Sequence, residues 1–476
     1  MPQSSLEAAD GKRTQAKEQI DPAVWKIAGV ALFGALLAQL DATIVNVSMS
    51  KLAVELNSSF STIQWVTSGY LLALTLVLPL NGWLVDRIGA KALYLWCFSA
   101  FTLCSALCGI AWSAPSLIGF RVLQGISGGL LAPMTQMMIA RAAGKHMARV
   151  AGYMALPVLL APVLGPIIAG AILQHASWRW LFLVNLPVGG IALLLVILLL
   201  PNDKNETTLR TLDWFGLALL SPGLVMFLYG SERLDHTTGR VILTGGVAMM
   251  LVFLWTARRE GDDALIDLRL FRRKVFSTAA VTQFLSNGGM FAGQMLIPAF
   301  LIQACGRTAG EMGWMLAPLG VGMMLANPFM GALTDKFGIR RVCAGGAFLT
   351  LAATLPMLYL AAHGLSLQVL IPALLFRGMG MSGVGLPSLT AAYASVSRQR
   401  MPMATTSLNI VQRLGGPTAT IFCATFLAWK LKPVDAGHAV SSAYGWAFLV
   451  LCGIHAFALL AAVQLPRRIG DVAARE

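Results

Sequence analysis

The stretch GWLVDRIGAK at residues 82–91 returns in outline as GALTDKFGIRR at residues 331–341. The two other echoes that keep this order and a similar spacing are FRVLQGISGG (120–129) with FRGMGMSGVG (376–385), and Gly165-Pro166 with Gly416-Pro417. Three echoes in one order indicate an internal duplication, in which two similar halves follow each other along the chain. Paired halves around a central cavity are typical of alternating-access transporters.

The composition places these halves in a membrane. Hydrophobic residues make up 57% of the 476 residues, charged residues only 12%, and the mean hydropathy is +0.71. Soluble domains carry about 25% charged residues. Apolar stretches long enough to cross a hydrocarbon core of ~30 Å occur fourteen times. We therefore predict an all-α integral membrane protein with two six-helix halves and two inserted helices, or 14 transmembrane helices.

The spacing of these stretches predicts the domain organisation. The first 24 residues are polar and lack the apolar core of a signal peptide. The predicted parts are a disordered cytoplasmic tail (1–24), an N-terminal six-helix bundle (25–200), a two-helix insert with its loops (201–265), a C-terminal six-helix bundle (266–465) and a cytoplasmic tail (466–476).

The basic residues predict the orientation. Of the 35 Lys and Arg, 25 lie on the side of the termini, 7 on the opposite side and 3 within spans. Basic residues concentrate in cytoplasmic loops, so both termini are expected in the cytoplasm. This distribution explains the net charge of +14 as topology, without nucleic acid as a partner. We expect a multi-pass protein of the cell (inner, cytoplasmic) membrane, with the lipid bilayer as its surroundings.

Five motifs together carry a family resemblance. They are LDATIVNV (40–47), G-x-L-x-D-R-x-G-x-K (82–91), R-x-x-Q-G (121–125), A-P-x-x-G-P-x-x-A-G (161–170) and WRWLFLVNLP (178–187). With them the chain resembles the major facilitator superfamily, in its fourteen-span drug:proton antiporter branch, which implies the major facilitator fold. Two departures stand out: Ala90 occupies a position that is commonly basic, and Ala161 and Ala169 replace common glycines.

Asp41 is the acidic residue that lies well inside an apolar run, at residues 25–50. A carboxylate in hydrocarbon costs roughly 2.5–3.5 kcal/mol on insertion scales, so it is usually functional. Arg121 lies at a similar depth, roughly 9–14 Å below the outer surface at the helical rise per residue. The two charges could therefore meet. The resemblance implies that they couple transport to protons; the alternative is a structural ion pair.

The resemblance assigns two conformational elements. A charge latch between the halves would comprise Gly82, Asp86, Arg87, Gly89, Lys91, Asp335 and Arg340. An antiporter hinge that interrupts span five and shapes the interface between the halves would comprise Pro162, Gly165, Pro166 and Gly170. The alternatives are a topology determinant for the first and a simple proline kink for the second.

Polar residues within spans are candidates for the lining of a substrate cavity, because they need partners or water at membrane depth. These candidates are Asn46, Tyr70, Gln124, Gln294, Asn409 and Arg413. Interhelical packing is an equal alternative for each amide, whereas Arg413 is the strongest candidate because a charge is costlier to bury. Arg377 has no acid near it in the sequence and is interpreted as structural.

These features favour a proton-coupled antiporter that exports amphipathic or apolar small molecules, cationic ones included, by alternating access. The proton gradient would supply the energy without a cofactor, since the chain has no nucleotide-binding loop. Six scattered histidines predict neither an enzyme nor a metal site. The expected partners are small-molecule substrates and protons, and the expected unit is a monomer. The alternatives are a symporter or uniporter for a metabolite, or a non-transporting membrane sensor.

Overall fold

A computed structural model of the chain describes residues 20–202, 211–234, 236–261, 264–431 and 437–467. Much of the two predicted tails, 1–24 and 466–476, lies outside the described residues. The helices are α1 (Pro22–Glu55), α2 (Phe60–Val77), α3 (Asn81–Ile88), α4 (Ala90–Gly109), α5 (Ala114–Gly128), α6 (Leu131–Ala143), α7 (Met147–His175), α8 (Trp180–Leu183), α9 (Asn185–Leu199), α10 (Trp214–Ser231), α11 (Thr237–Glu260), α12 (Lys274–Gln303), α13 (Ala309–Phe337), α14 (Ile339–His363), α15 (Leu367–Ala394), α16 (Met401–Leu431) and α17 (Gly437–Val463).

The described part of the chain is all-helical, as predicted, and contains twelve helical segments long and apolar enough to cross a membrane. Three of these segments join two consecutive helices: α2 with α3, α5 with α6, and α8 with α9. The number of candidate spans is two below the expected fourteen, and the two long helices that are missing from it are α7 and α16. In α7 the stretch Met147–Ala161, which ends where the described side chains are interrupted, is below the required length, and α16 is not among the twelve. The all-helical fold is thus confirmed for the described residues, whereas the count of fourteen spans is not confirmed.

The duplication is visible in the backbone. Gly89 ends α3 with φ +83° and ψ 156°, and Gly338 ends α13 with φ +86° and ψ 158°. Both glycines occupy the same position of the repeated motif, and both lie in a region that residues with a Cβ rarely adopt. The motif therefore encodes the same sharp turn between two helices in each half.

The two halves share a core on one side and are separate on the other. On the side where α1 begins, a single cluster joins buried residues of the first half, such as Leu93 and Met138, to Ile339 and Met403 of the second. On the opposite side, the described residues form one cluster around Phe182 in the first half and another cluster in the second half. The space between the halves is therefore closed on the side of the termini.

The inserted helices α10 and α11 pack closely on each other through glycines. A Cβ on Gly246 would lie 2.7 Å from the backbone nitrogen of Phe227, so only glycine allows this approach. The pair also contacts the first half, because the Tyr229 ring stacks on Trp65 with 5.8 Å between the centroids. The insert also contacts the second half, because its Leu224 shares a buried cluster with Leu78 of the first half and Ile410 of the second.

Candidate functional site

A buried ion pair joins α1 to α5. Arg121 Nη1 donates to Asp41 Oδ2 at 2.5 Å, and both side chains are fully buried. The depth argument from the sequence is thus consistent with a direct contact. The role of the pair remains a prediction.

Amide side chains complete the surroundings of Asp41. Asn185 Nδ2 donates to Asp41 Oδ1 at 2.8 Å, and Gln124 Nε2 donates to the same oxygen at 3.2 Å. Asn185 also donates to Ser105 Oγ at 3.1 Å. Sequence reasoning quoted the motif that contains Asn185 but did not assign it a role. The available signal was an amide within an apolar run, the same signal that selected the other candidates.

Arg121 is held by more than the carboxylate. Its Nε donates to the Val66 carbonyl at 3.2 Å, and Nη1 also donates to Gln124 Oε1 at 2.8 Å. Its guanidinium carbon lies 4.1 Å from the centre of the Tyr70 ring, a cation–π contact. Gln124, predicted to line the substrate cavity, is therefore part of the Asp41 network instead.

A cavity of about 450 Å³ lies between the halves, within the size range of small-molecule sites. Helices α1, α2, α6 and α7 supply most of its wall, and the second half adds Asn327, Leu386, Leu389 and Arg413. Tyr70 also lines it, so one residue touches both the cavity and Arg121. The buried ion pair is thus one side chain away from the cavity.

The remaining predicted cavity residues divide into two groups. Tyr70 and Arg413 line the cavity, and Asn409 lies beside it, donating to the lining residue Gln136 at 3.0 Å. Asn46 and Gln294 are exposed and line neither this cavity nor the smaller one beside it. The assignment of Asn46 and Gln294 to the substrate cavity stays a prediction. A polar residue in a span shows that a partner or water is needed but not on which face.

The first copy of the predicted latch packs its glycine against the other half. A Cβ on Gly82 would lie 3.3 Å from Thr406 Oγ1 and 3.4 Å from the Pro402 carbonyl, both on α16. Lys91, in contrast, donates to the carbonyl of Leu200 at 2.6 Å, a contact inside the first half. Arg87 is exposed and lies 5.4 Å from the ring of Trp83.

The second copy supplies an ion pair between the halves. Asp335 on α13 accepts a hydrogen bond from Arg149 Nη2 on α7 at 2.5 Å. A Cβ on Gly331 would overlap the backbone of Arg149, so the two helices touch here. Arg340 donates to the Leu465 carbonyl at 2.6 Å within the second half. Sequence reasoning missed Arg149, which lies in a loop-flanking segment without a motif.

The predicted hinge lies within an unbroken helix. Helix α7 runs without interruption from Met147 to His175, so the expected break in span five is absent. Prolines are tolerated here because neighbouring helices supply partners for the freed backbone groups. In the same region, Thr43 Oγ1 of α1 lies 3.3 Å from the Ala161 carbonyl, so α1 and α7 are in close contact here.

The hinge glycines do not face the other half in this conformation. A Cβ on Gly165 would clash with Thr43 of α1, and would lie 3.4 Å from the backbone nitrogen of Ile44. Nothing lies within 4 Å of the corresponding position on Gly170. At Gly165 the close contact is therefore with α1, two residues beyond Asp41, whereas the first turns of α7 pack on α13 of the other half. The side chains of Pro162 and Pro166 lie outside the described part of the structure.

The second half carries the counterpart of Arg121 without a counterpart of Asp41. Arg377 is buried, and its Nη2 donates to the Gly289 carbonyl at 2.9 Å. A Cβ on Gly293 would overlap its guanidinium, and one on Gly289 would overlap the ring of His455. No described carboxylate pairs with Arg377. The two halves are therefore chemically unequal at equivalent positions.

Across the described residues, no group of three or more His, Cys, Asp or Glu could hold a metal ion. What the described helices do form is two similar bundles, a cavity between them and a buried ion pair beside it. The fold and site thus define a multi-span helical transporter. Residues 31–420 match the model of the Major Facilitator Superfamily, and the chain belongs to this family.

Relatives and solved structures agree with this assignment. The chain is 33% identical over 423 residues to the multidrug resistance protein B homolog of Mycobacterium tuberculosis, covering 87% of this chain and 78% of that protein. It is 32% identical over 364 residues to the putative multidrug resistance protein MdtD of Salmonella typhi, covering 75% and 76%. The structure of the human organic anion transporter MFSD10 superposes with a TM-score of 0.61 at 16% sequence identity, and the match covers 91% of this chain and 100% of that chain. The structure of a double-tryptophan mutant of XylE superposes with a TM-score of 0.65 at 15% identity, and the match covers 95% of this chain and 99% of that chain. At these identities the solved structures show the fold alone.

Proposed function

We propose that this protein is a proton-coupled antiporter that exports amphipathic or apolar small molecules from the cytoplasm by alternating access. One observation carries the proposal. The fully buried pair of Asp41 and Arg121 lies against Tyr70, which lines the central cavity. A group able to take up a proton is therefore mechanically linked to the place where cargo would bind. The names of the two multidrug-resistance relatives support export as the direction.

Protonation of Asp41 would act through Arg121. It removes the charge that the guanidinium pairs with, and a buried cation without its partner is strongly destabilised. The guanidinium would then shift toward its remaining acceptors, the Val66 carbonyl and Gln124. Because the Tyr70 ring lies on the guanidinium, this shift would reach the cavity wall and weaken the hold on cargo. We assign this role to the first half, since Arg377 has no described carboxylate partner.

The latch would hold the conformation seen here. The pair of Asp335 and Arg149, with Gly82 and Gly331 packed against the opposite half, closes the side of the termini. We propose that this side is cytoplasmic, in line with the positive-inside distribution, so that the structure represents the outward-facing state. Rocking of the halves about the cavity would separate these contacts and admit cargo from inside.

The topology follows from the same proposal. Adding α7 and α16 to the twelve apolar segments gives fourteen spans in the inner membrane. The two bundles would be residues 25–200 and 266–465, with 201–265 as the insert. A monomer would contain the complete transport pathway for cargo and protons.

Transport in everted membrane vesicles tests the function. A fluorescent amphipathic substrate should accumulate in vesicles with wild-type protein when a proton gradient is imposed, and Asp41→Asn should lose at least nine-tenths of that signal. Glu55→Gln makes the same charge change at the exposed end of the same helix and should leave the flux intact. Both variants should insert at wild-type levels.

The alternatives give distinct results. Flux driven in the same direction as the proton would indicate a symporter, and flux indifferent to the gradient a uniporter. Binding without any flux would indicate a sensor. Retained proton-driven accumulation in Asp41→Asn would contradict the assignment of Asp41.

A further inference from the structure

The charge distribution in the central cavity is one-sided. Among the described residues that line it, Arg413 carries the only formal charge. The wall contributed by the first half is largely apolar, with Leu32, Ala132, Met154 and Leu159 among its residues. The carboxylate of Asp41 does not line the cavity: it is paired with Arg121, whose guanidinium lies against Tyr70 of the cavity wall. A ligand in the cavity therefore faces an unbalanced positive charge.

The guanidinium of Arg413 can donate more hydrogen bonds than the described residues accept from it. Its Nη1 donates to Thr75 Oγ1 of the first half at 3.3 Å, and it forms no ion pair with any residue in the described ranges. A guanidinium has five N–H donors in a fixed planar arrangement and no acceptor. In contrast to Arg121, which has its own carboxylate, Arg413 needs acceptor atoms from water or from a ligand.

A second cavity continues the first into the other half. It has a volume of about 200 Å³ and shares Asn327, Leu386 and Leu389 with the larger one. Its other lining residues include the polar Gln283, Ser286, Asn287 and Gln412, and none of the described lining residues is charged. Gln412 Nε2 donates to Gln283 Oε1 at 3.0 Å, so these amides form a neutral polar wall.

From these two walls we infer that the cargo is an amphipath with an apolar body and a polar end that accepts hydrogen bonds and carries no positive charge. The apolar body would lie against the first half, and the acceptor end would lie toward Arg413 and the amide wall. This inference rests on the proposed function, because it takes the cavity to be the cargo site. The sequence-based expectation included cationic cargo, and the inference excludes it. The reason is that an ammonium group in the cavity would be repelled by the positive charge of Arg413.

Binding of three matched probes tests the inference without any gradient. The probes are a dansyl-labelled undecanoic acid, its primary amide and the amine of the same chain length, added to the purified protein in nanodiscs of zwitterionic lipid. Fluorescence from empty nanodiscs is subtracted. The acid and the amide should each bind at least tenfold more tightly than the amine. Arg413→Gln should reduce this difference to less than threefold, chiefly because the amine gains affinity.

Two further variants separate charge from folding. Arg413→Lys keeps the positive charge and should keep the order of the three probes. Arg259→Gln removes an exposed charge on the inserted helix α11 and should change nothing. The inference is overturned if wild-type protein binds the amine as tightly as the amide, if none of the probes binds, or if Arg413→Gln keeps the tenfold preference against the amine.

The outcome is independent of the transport test. Asp41→Asn should lose proton-driven flux and still rank the three probes as the wild type does. A protein that ranks the probes as stated but shows no proton-driven export would refute the proposed function and not the cargo class. Proton-driven export with the amine preferred would refute the cargo class alone.

Discussion

The guanidinium carbon of Arg121 lies 4.1 Å from the centre of the Tyr70 ring, and Tyr70 also lines the central cavity. The tyrosine is fully buried, and its hydroxyl has no hydrogen-bond partner among the described residues. A fixed side chain therefore separates the buried ion pair from the cavity by the thickness of one ring. In a well-packed core such a ring transmits displacement, because interiors have few voids to absorb it.

Removing the Tyr70 ring should uncouple flux from the proton gradient. Cation–π contacts are worth about 0.5–2 kcal/mol, so Tyr70→Leu should lower proton-driven flux in proteoliposomes by up to about thirtyfold. Tyr70→Phe keeps the ring and should retain flux within about threefold of wild type. If Tyr70→Leu transports as well as Tyr70→Phe, the ring has no part in coupling.

Loss of the Asn185 amide should weaken proton-driven transport. Asn185 donates to Asp41 Oδ1 at 2.8 Å and so helps to hold the carboxylate in place. Hydrogen bonds to charged groups contribute about 1.5–3 kcal/mol, so Asn185→Leu should lower proton-driven flux in proteoliposomes by roughly tenfold or more. Ser105→Ala removes only the other acceptor of Asn185 and should cause a smaller loss. Wild-type flux in Asn185→Leu would show that the amide does not position Asp41.

Breaking the ion pair of Asp335 and Arg149 should favour opening on the side of the termini. Both side chains are about a quarter to a third exposed, and exposed pairs contribute about 0.2–1 kcal/mol, which corresponds to roughly a 1.4- to fivefold change in population. The readout is the labelling rate of Met154→Cys, in a background without other cysteines, by an impermeant maleimide from the terminal side. Asp335→Asn should raise this rate, and exchanging the two charges in a double variant should restore it. Equal rates in all three proteins would remove the pair from the latch.

Gly293 should be intolerant of alanine because its position touches Arg377. Overpacking a buried site costs about 1–3 kcal/mol, so Gly293→Ala should lower the apparent melting temperature in detergent by several degrees. Gly320→Ala on α13 is a matched control, because no atom lies within 4 Å of the position that the new Cβ would occupy. Alanine has a better helix propensity than glycine, so this variant should be as stable as the wild type or slightly more stable. A Gly293→Ala protein as stable as Gly320→Ala would show that Arg377 can move aside.

Much of the fold could be predicted from the sequence, because hydrocarbon imposes strict requirements. Every backbone polar group in a bilayer must be satisfied within its segment, so long apolar stretches must be helices. The repeated motif predicted two halves, and its glycines at 89 and 338 adopt the same positive φ. The span count was less predictable, because a polar helix such as α16 has weak hydropathy while its length would suffice to span.

The site could be predicted only in part. Asp41 stood out because a carboxylate in hydrocarbon costs free energy, and Arg121 stood out because it lies at a similar depth in the membrane. The structure brings the two side chains together. The lining of the cavity was not accessible in the same way. Asn46 and Gln294 met the same polar criterion as Tyr70 and Arg413 yet line neither cavity described here. Asn185 and Arg149 contact Asp41 and Asp335 across 144 and 186 positions of the chain, so no local pattern identifies them.

The sequence by itself determined the membrane class, the two halves, the repeated glycine turn and the rare carboxylate, because each follows from local chemistry and the cost of polar groups in lipid. Only the tertiary structure decided which residue pairs with which, which faces line the cavity, and that Arg377 lies against glycines where Arg121 has Asp41. The physical reason is that lipid and helix interfaces are similarly apolar. Hydrophobicity therefore does not mark the inner face of a membrane helix, and close packing and polar contacts between helices determine it instead.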